Sequence, residues 1–171
     1  MRSLRTPLVI LAVGTALFAT IASGESNEAK KAEGGGSPSA PASTFGVGDV
    51  VDLGDWRVQV HGVVDPYVST NQFITADPGN RYVVIDTEVT NNGSKPETVS
   101  SMMCFELQDS ANKSYDIAFT DTSTGSVDGQ LASGAAKRGE LSYEVPEAAT
   151  GLRLQFKCDL LSSGSATINL S

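Results

Sequence analysis

The feature that most constrains this chain is a two-residue alternation of apolar and polar side chains through nearly all of residues 45–171. Trp56, Val58 and Val60 alternate with Arg57, Gln59 and His61; Met103, Phe105 and Leu107 alternate, as do Leu141, Tyr143 and Val145, then Leu152, Leu154 and Phe156, with Ile168 and Leu170 closing the series. A period of two sends every second side chain to one face of a strand, whereas a helix needs a period near 3.6, which is missing here. Residues 56–64 read as a strand with one buried face, and Val50-Val51 as a shorter strand before a Leu53-Gly54-Asp55 turn. The run from Arg81 to Thr90 has the highest β-branched density, and Asn91-Asn92-Gly93 stops it. A polar turn from Asp109 to Lys113 precedes a short strand near Tyr115–Ala118, and Pro146 ends the strand of Leu141, Tyr143 and Val145. Residues 120–136 hold only scattered apolar side chains and are expected to form an exposed, mobile loop. Seven or eight short strands at this spacing predict an all-β, antiparallel sandwich.

Ahead of this region the composition changes twice. Arg2 and Arg5 precede an uncharged run from Leu8 to Ala22 that ends in small residues, the layout of a secretory signal peptide over residues 1–24. The run is shorter than a bilayer span needs and is interrupted by Gly14, Thr15 and Thr20, so cleavage after Ala22 or Gly24 is expected rather than stable membrane insertion. Ile21-Ala22-Ser23 matches the front of a lipoprotein box, but the next residue is Gly24, which offers no thiol for a lipid. Residues 25–44, ESNEAKKAEGGGSPSAPAST, lack the apolar groups for a core and read as a disordered spacer with a reach of about 25 Å. The domain proper is residues 45–171, and a secreted, extracellular or cell-surface location follows.

Twelve basic against twenty acidic residues give a net charge of −8; removing the signal removes two arginines and no acids, which makes it −10. Nucleic acids and anionic surfaces are poor partners for such a chain, because both need clustered Lys and Arg. Cys104 and Cys158 are the two cysteines, and in an exporting chain they are expected to pair. Regular alternation would put Cys104 on the face opposite Phe105, so the bridge requires a bulge near Met102–Cys104 or sulfurs meeting at a sandwich edge.

Three stretches taken together, RYVVIDTEVTNN (81–92), FELQDSANKSY (105–115) and LASGAAKRGELSYEVP (131–146), resemble an immunoglobulin-like superfamily. It contains the mycobacterial immunoprotective extracellular antigens and a large domain-of-unknown-function family of bacterial surface lipoproteins. The resemblance covers most of residues 45–171 and rests on structural motifs: a strand ending in Asn, a glycine-bearing turn and a strand ending in Val-Pro. It implies an immunoglobulin-like sandwich and export, and brings no catalytic residues. Gly24 stands where the lipoprotein relatives carry their lipidated cysteine.

The residues able to carry chemistry are few. His61 is the single histidine, and no G-x-S-x-G elbow accompanies it, so a hydrolase triad is not expected. His61 with Met102 and Met103 is the one soft-metal grouping and defines an alternative reading, extracytoplasmic copper handling; oxidised Cys104 would be lost to it. Asp121, Ser123 and Asp128 place oxygen donors around a glycine, as calcium loops do, but without the bidentate Glu. Asp77-Pro78-Gly79-Asn80 is a turn signature. Residues 65–80 carry Tyr67 and Phe73 outside any clear alternation; the two rings either cap the sandwich end or, if exposed, form an aromatic anchor. The leading reading is therefore a noncatalytic exported module, needing no cofactor, that binds a protein or wall component.

Overall fold

A computed structural model describes residues 29–31, 44–158 and 164–171. The expected signal peptide lies outside the described residues, as does all of the expected spacer except 29–31 and Thr44. The described strands are β1 (Lys30–Lys31), β2 (Phe45–Gly46), β3 (Val50–Leu53), β4 (Trp56–Tyr67), β5 (Asn80–Asn91), β6 (Glu97–Val99), β7 (Phe105–Gln108), β8 (Ser114–Tyr115), β9 (Gly129–Leu131), β10 (Ala136–Pro146), β11 (Arg153–Phe156) and β12 (Ala166–Asn169). One helical turn, α1 (Ser101–Cys104), precedes β7. Sheet A runs β1-β3-β4-β5-β10 and sheet B runs β2-β12-β11-β7-β8, while β6 and β9 pair apart. Seven strands have four residues or more, matching the strand number the alternation predicts. All pairings among named strands are antiparallel except β2 with β12. Lys30–Lys31, in the segment read as spacer, pairs with Asp52 and Val51 on β3.

The core lies between the two sheets. Trp56, Val58, Val83, Ile85, Val89, Leu141 and Tyr143 face inward from sheet A, and Phe105, Leu107, Leu154, Phe156 and Ile168 from sheet B. Phe156 joins the layers, edge-on to Trp56 at 6.5 Å between ring centroids and tilted against Phe105 at 5.0 Å. The single buried face expected along 56–64 breaks once. A register shift between Val60 and Gly62 changes the parity of β4, so Val63 packs against the core and Val64 turns to solvent. β4 then continues to Tyr67, through residues read from sequence as loop.

The parity conflict at the cysteines is resolved by helical geometry rather than by a bulge. Met103 belongs to α1, not to an alternating strand, and the Cys104 N–H donates to the Ser100 carbonyl at 2.8 Å. The Asp128 carboxylate accepts from the backbone N–H and the hydroxyl of Ser101 and so fixes the start of the turn. About 100° of rotation per residue lets both Cys104 and Phe105 point inward, which a strand forbids. Cys104 bonds Cys158 with a Cα–Cα distance of 4.2 Å.

Residues 120–136 depart from the mobile loop expected of them. Val127 and Leu131 are core residues, β9 pairs with β6, and the Glu140 N–H donates to the Gly125 carbonyl at 2.7 Å. Gly139 makes this seating possible: a Cβ there would stand 2.5 Å from Ser126 C and Val127 N. Elsewhere the turn signature holds, with Gly79 at φ 86° and the Asn80 N–H donating to the Asp77 carbonyl at 2.9 Å.

Two outcomes follow. Gly139→Ala should cost about 1–3 kcal/mol through backbone displacement, read as a lower urea midpoint; an unchanged midpoint would show that 125–127 is not seated against β10. Cys104→Ala/Cys158→Ala opens a loop of sequence separation 54 and should remove about 4 kcal/mol on chain-entropy grounds, read as a fall in Tm that reduction of the native chain reproduces.

Candidate functional site

Sheet A has an outer face that alternation would leave in water, and at one end it is covered. Tyr82, Val84 and Ser142 alternate with the inward Val83, Ile85 and Tyr143, yet all three outward residues are buried. Two segments cover them. The β4–β5 connection folds back so that the Tyr82 hydroxyl donates to the Thr75 carbonyl at 3.1 Å, while Glu144 accepts from the Asp77 N–H at 2.8 Å. The chain after β8 leaves sheet B, bridges from Ile117 to Tyr143 on the edge of sheet A, and passes Ser142, where the Thr120 and Ser142 hydroxyls lie 2.6 Å apart.

Asp121 joins the two segments. Its carboxylate accepts from the Tyr67 hydroxyl at 3.0 Å, the Thr70 hydroxyl at 2.9 Å, and the Thr70 and Asn71 N–H groups at 3.1 and 3.2 Å. The neighbouring Ser69 hydroxyl, with those of Thr70 and Tyr67, holds the carboxyl far below the usual carboxylate range against the opposing effect of desolvation. Ser69 itself donates to the Asn71 carbonyl, so the direct bonds to Asp121 are those of Tyr67, Thr70 and Asn71. Several large apolar side chains stand exposed beside this latch. Phe73 is 85% exposed, Phe119 87% and Val68 80%, with Val64 also open to water. Large apolar groups scattered singly are ordinary, but here they project from two segments tied to one carboxylate.

The two rings read together from sequence thus part company. Tyr67 is half-buried with its hydroxyl engaged, and Phe73 stands in solvent. Phe119, Thr70 and Asn71 complete the site and were not anticipated. The parity of Tyr115, Ile117 and Phe119 points to a buried ring, but the chain changes sheets between Tyr115 and Ile117, so parity lapses; the run TDTSTG directly after Phe119 was the available signal.

The remaining candidates are dispersed. His61 faces outward from β4, 3.6 Å from the Glu88 carboxylate, whereas Met102 and Met103 lie on α1 at the entry to sheet B. Both methionines are exposed, where one was expected to face the core. Of the candidate calcium-loop donors Asp121, Ser123 and Asp128, the two aspartates serve separate latches, and no group of three or more His, Cys, Asp or Glu able to hold a metal occurs among the described residues. A shallow depression of ≈ 430 Å³ between Thr44–Val47 and Asn169–Ser171 contains no acidic, basic or thiol side chain.

A family model described as "Domain of unknown function (DUF4352)" matches residues 45–167. The chain belongs to the DUF4352 family. Among curated proteins nothing matches this DUF4352 chain. Solved structures do. The yjhA protein of Bacillus subtilis is 18% identical, with a TM-score of 0.59 over 74% of this chain and 99% of its own. A second Bacillus subtilis protein, ycdA, provisionally described as a lipoprotein, is 16% identical, with a TM-score of 0.56 over 68% of this chain and 36% of its own. An uncharacterised β-sandwich protein of Clostridium difficile is 13% identical, with a TM-score of 0.50 over 81% of this chain and all of its own. These structural likenesses show the fold alone. The DUF4352 description assigns no activity, and no helix among the described residues is long and apolar enough to cross a membrane.

Removing the latch should loosen the loops and leave the sandwich intact. Asp121→Ala should raise amide exchange at residues 68–76 by at least tenfold while Tm changes little; unchanged exchange would dismiss the latch. Because the folded carboxyl titrates below its ordinary value of 3.8, the latch is fully formed above that value and is lost only as pH falls through the lower, folded one. Exchange protection at 68–76, corrected for the intrinsic pH dependence of exchange, should therefore persist at pH 3.5.

Proposed function

We propose that this chain is an exported, noncatalytic binding module of the cell envelope or extracellular space, engaging a protein or wall component through Phe73 and Phe119. One observation carries the reading: two phenylalanine rings stand almost wholly in water on segments that Asp121 and Glu144 hold in place. Ordering a loop and then exposing its aromatic groups makes no contribution to the core. It does suit recognition, since aromatic anchors dominate interface energetics and pre-ordered segments lose less entropy on binding. The signal-like N-terminus and the lipoprotein description of ycdA support an envelope or extracellular setting. The acidic balance argues against nucleic acid and anionic lipid as partners.

The test compares the exported chain with Phe73→Ser/Phe119→Ser for retention on purified cell walls and on immobilised envelope proteins of the source cell. Both rings are exposed, so the variant should keep its stability to within about 0.5 kcal/mol. Its retention should fall by about 30-fold or more, the scale of a hot spot. Equal retention of the two chains would remove the aromatic loops from the function.

A further inference from the structure

Asn92-Gly93 is the one Asn-Gly step in the sequence, and it stands where β5 ends. An asparagine followed by glycine readily loses its side-chain amide, because the backbone nitrogen of the glycine attacks the asparagine Cγ and no Cβ obstructs the approach. The N–Cγ bond forms as the Cγ–Nδ2 bond breaks, and ammonia leaves with the amide proton. One water then opens the succinimide at either carbonyl, giving aspartate or isoaspartate. The fold requires the glycine: Gly93 is buried, and a Cβ there would stand 3.0 Å from both Cβ and Oδ2 of Asp55 and 3.1 Å from Asn91 Oδ1. These separations are shorter than a relaxed contact between such atoms. Asn92 itself is exposed, so the water the chemistry needs is at hand.

What the step lacks is a free nucleophile. The Gly93 N–H donates to Asn91 Oδ1 at 2.9 Å. Asn91 is wholly buried, and its Nδ2 donates to the carbonyls of Lys95 at 2.7 Å and Leu131 at 3.0 Å, so the carboxamide is held in place. The backbone is clamped as well. The Asn91 N–H donates to the Ala135 carbonyl at 3.0 Å, and the Asn91 carbonyl accepts from the Gly134 N–H at 2.7 Å. The Asn92 N–H donates to the Asp55 carbonyl at 2.7 Å, and the Gly93 carbonyl accepts from the Ser133 hydroxyl at 2.6 Å. To attack, the Gly93 nitrogen must give up its proton and swing toward Asn92 Cγ, which breaks its bond to Asn91. The product would also be badly placed: Asn92 Nδ2 lies 3.4 Å from Asp52 Oδ1, and a carboxylate at 92 would exchange that donor for a like charge.

We propose that Asn92-Gly93 is a latent deamidation site that the Asn91 side chain holds shut in the native fold. It opens when residues 91–95 detach from 131–135, so aspartate or isoaspartate at 92 marks chains that have come apart at this end of the sandwich. The site shares no residue with the Phe73–Phe119 surface, so either reading can fail alone.

The test follows Asn92 by peptide mapping in mildly alkaline buffer, in the native chain, in the same chain unfolded in urea, and in Asn91→Ala and Ser133→Ala. Unfolding should speed loss of the amide by about tenfold or more, the factor in rate that one hydrogen bond of ordinary strength supplies. Folded Asn91→Ala should lose it about tenfold faster than the native chain, whereas Ser133→Ala, which frees only the Gly93 carbonyl, should stay within about twofold of native. Equal rates in the native and unfolded chains overturn the proposal. So does a folded Asn91→Ala that is as slow as native, or a Ser133→Ala that is as fast as Asn91→Ala. Amide exchange of the native chain needs no substitution and decides the case if Asn91→Ala does not fold: the Gly93 N–H should be protected, and a freely exchanging one overturns the guard.

Discussion

The unbroken register between β5 and β10 is the constraint on which the rest of the molecule depends. It runs from Thr90 opposite Ala136 to Asn80 opposite Pro146, and a slip of one residue would turn Leu141, Tyr143 and Val145 out of the core together. The same register sets Gly139 opposite Thr87, giving segment 125–127 its berth, and brings Ser142 beside Val84, where the chain returning from sheet B finds a partner. It also carries a cost: Asp86 lies opposite Glu140, two like charges facing across a ladder. Arg138 relieves this by binding Asp86, whose carboxyl falls below its ordinary value in consequence.

Strands that bury one face were legible in the sequence because alternation and burial are the same fact at two levels. The inward residues of β4, β5, β10 and β11 follow from it directly. What escaped was each place where the chain abandons a strand for a turn or changes sheet. At Cys104 one turn of helix replaces alternation, and nothing in SSMMC distinguishes that from a strand end. Around Val127 a polar composition conceals a core residue, since one valine among Ser, Thr and Gly carries no periodicity. Lys30–Lys31 pairs with β3 and reaches Asp49 through the Lys31 side chain, yet two adjacent lysines carry no alternation that marks a strand. The candidate site was half legible: Tyr67 and Phe73 could be noticed for lying outside any pattern, but Asp121 reaches Tyr67, Thr70 and Asn71 across 54, 51 and 50 residues of sequence that local reading does not bridge.

Three of the four described arginines, and Lys31, bind carboxylates. Arg57 binds Asp52, Arg81 binds Asp65, Arg138 binds Asp86 and Lys31 binds Asp49. The described arginines are thus tied to acids, apart from Arg153, which donates to the Asp109 carbonyl and to Asn112. Such pairs contribute little to stability individually. Their larger effect is on the field of the molecule: these four cations are neutralised at close range, and the excess of acids over bases sets a negative long-range potential, which repels polyanions while the apolar loops act only at contact.

The disulfide has a consequence beyond folding energy. Cys104 and Cys158 enclose β7, β8, the exposed Phe119 segment, β9, β10 and β11 within one covalent ring. A protease that cuts this ring once, at the open Phe119 segment or anywhere else between the cysteines, releases no fragment. Two cuts, or a reductant, are needed before any piece can leave, so in an oxidising, protease-rich setting the domain can be nicked and still remain one molecule.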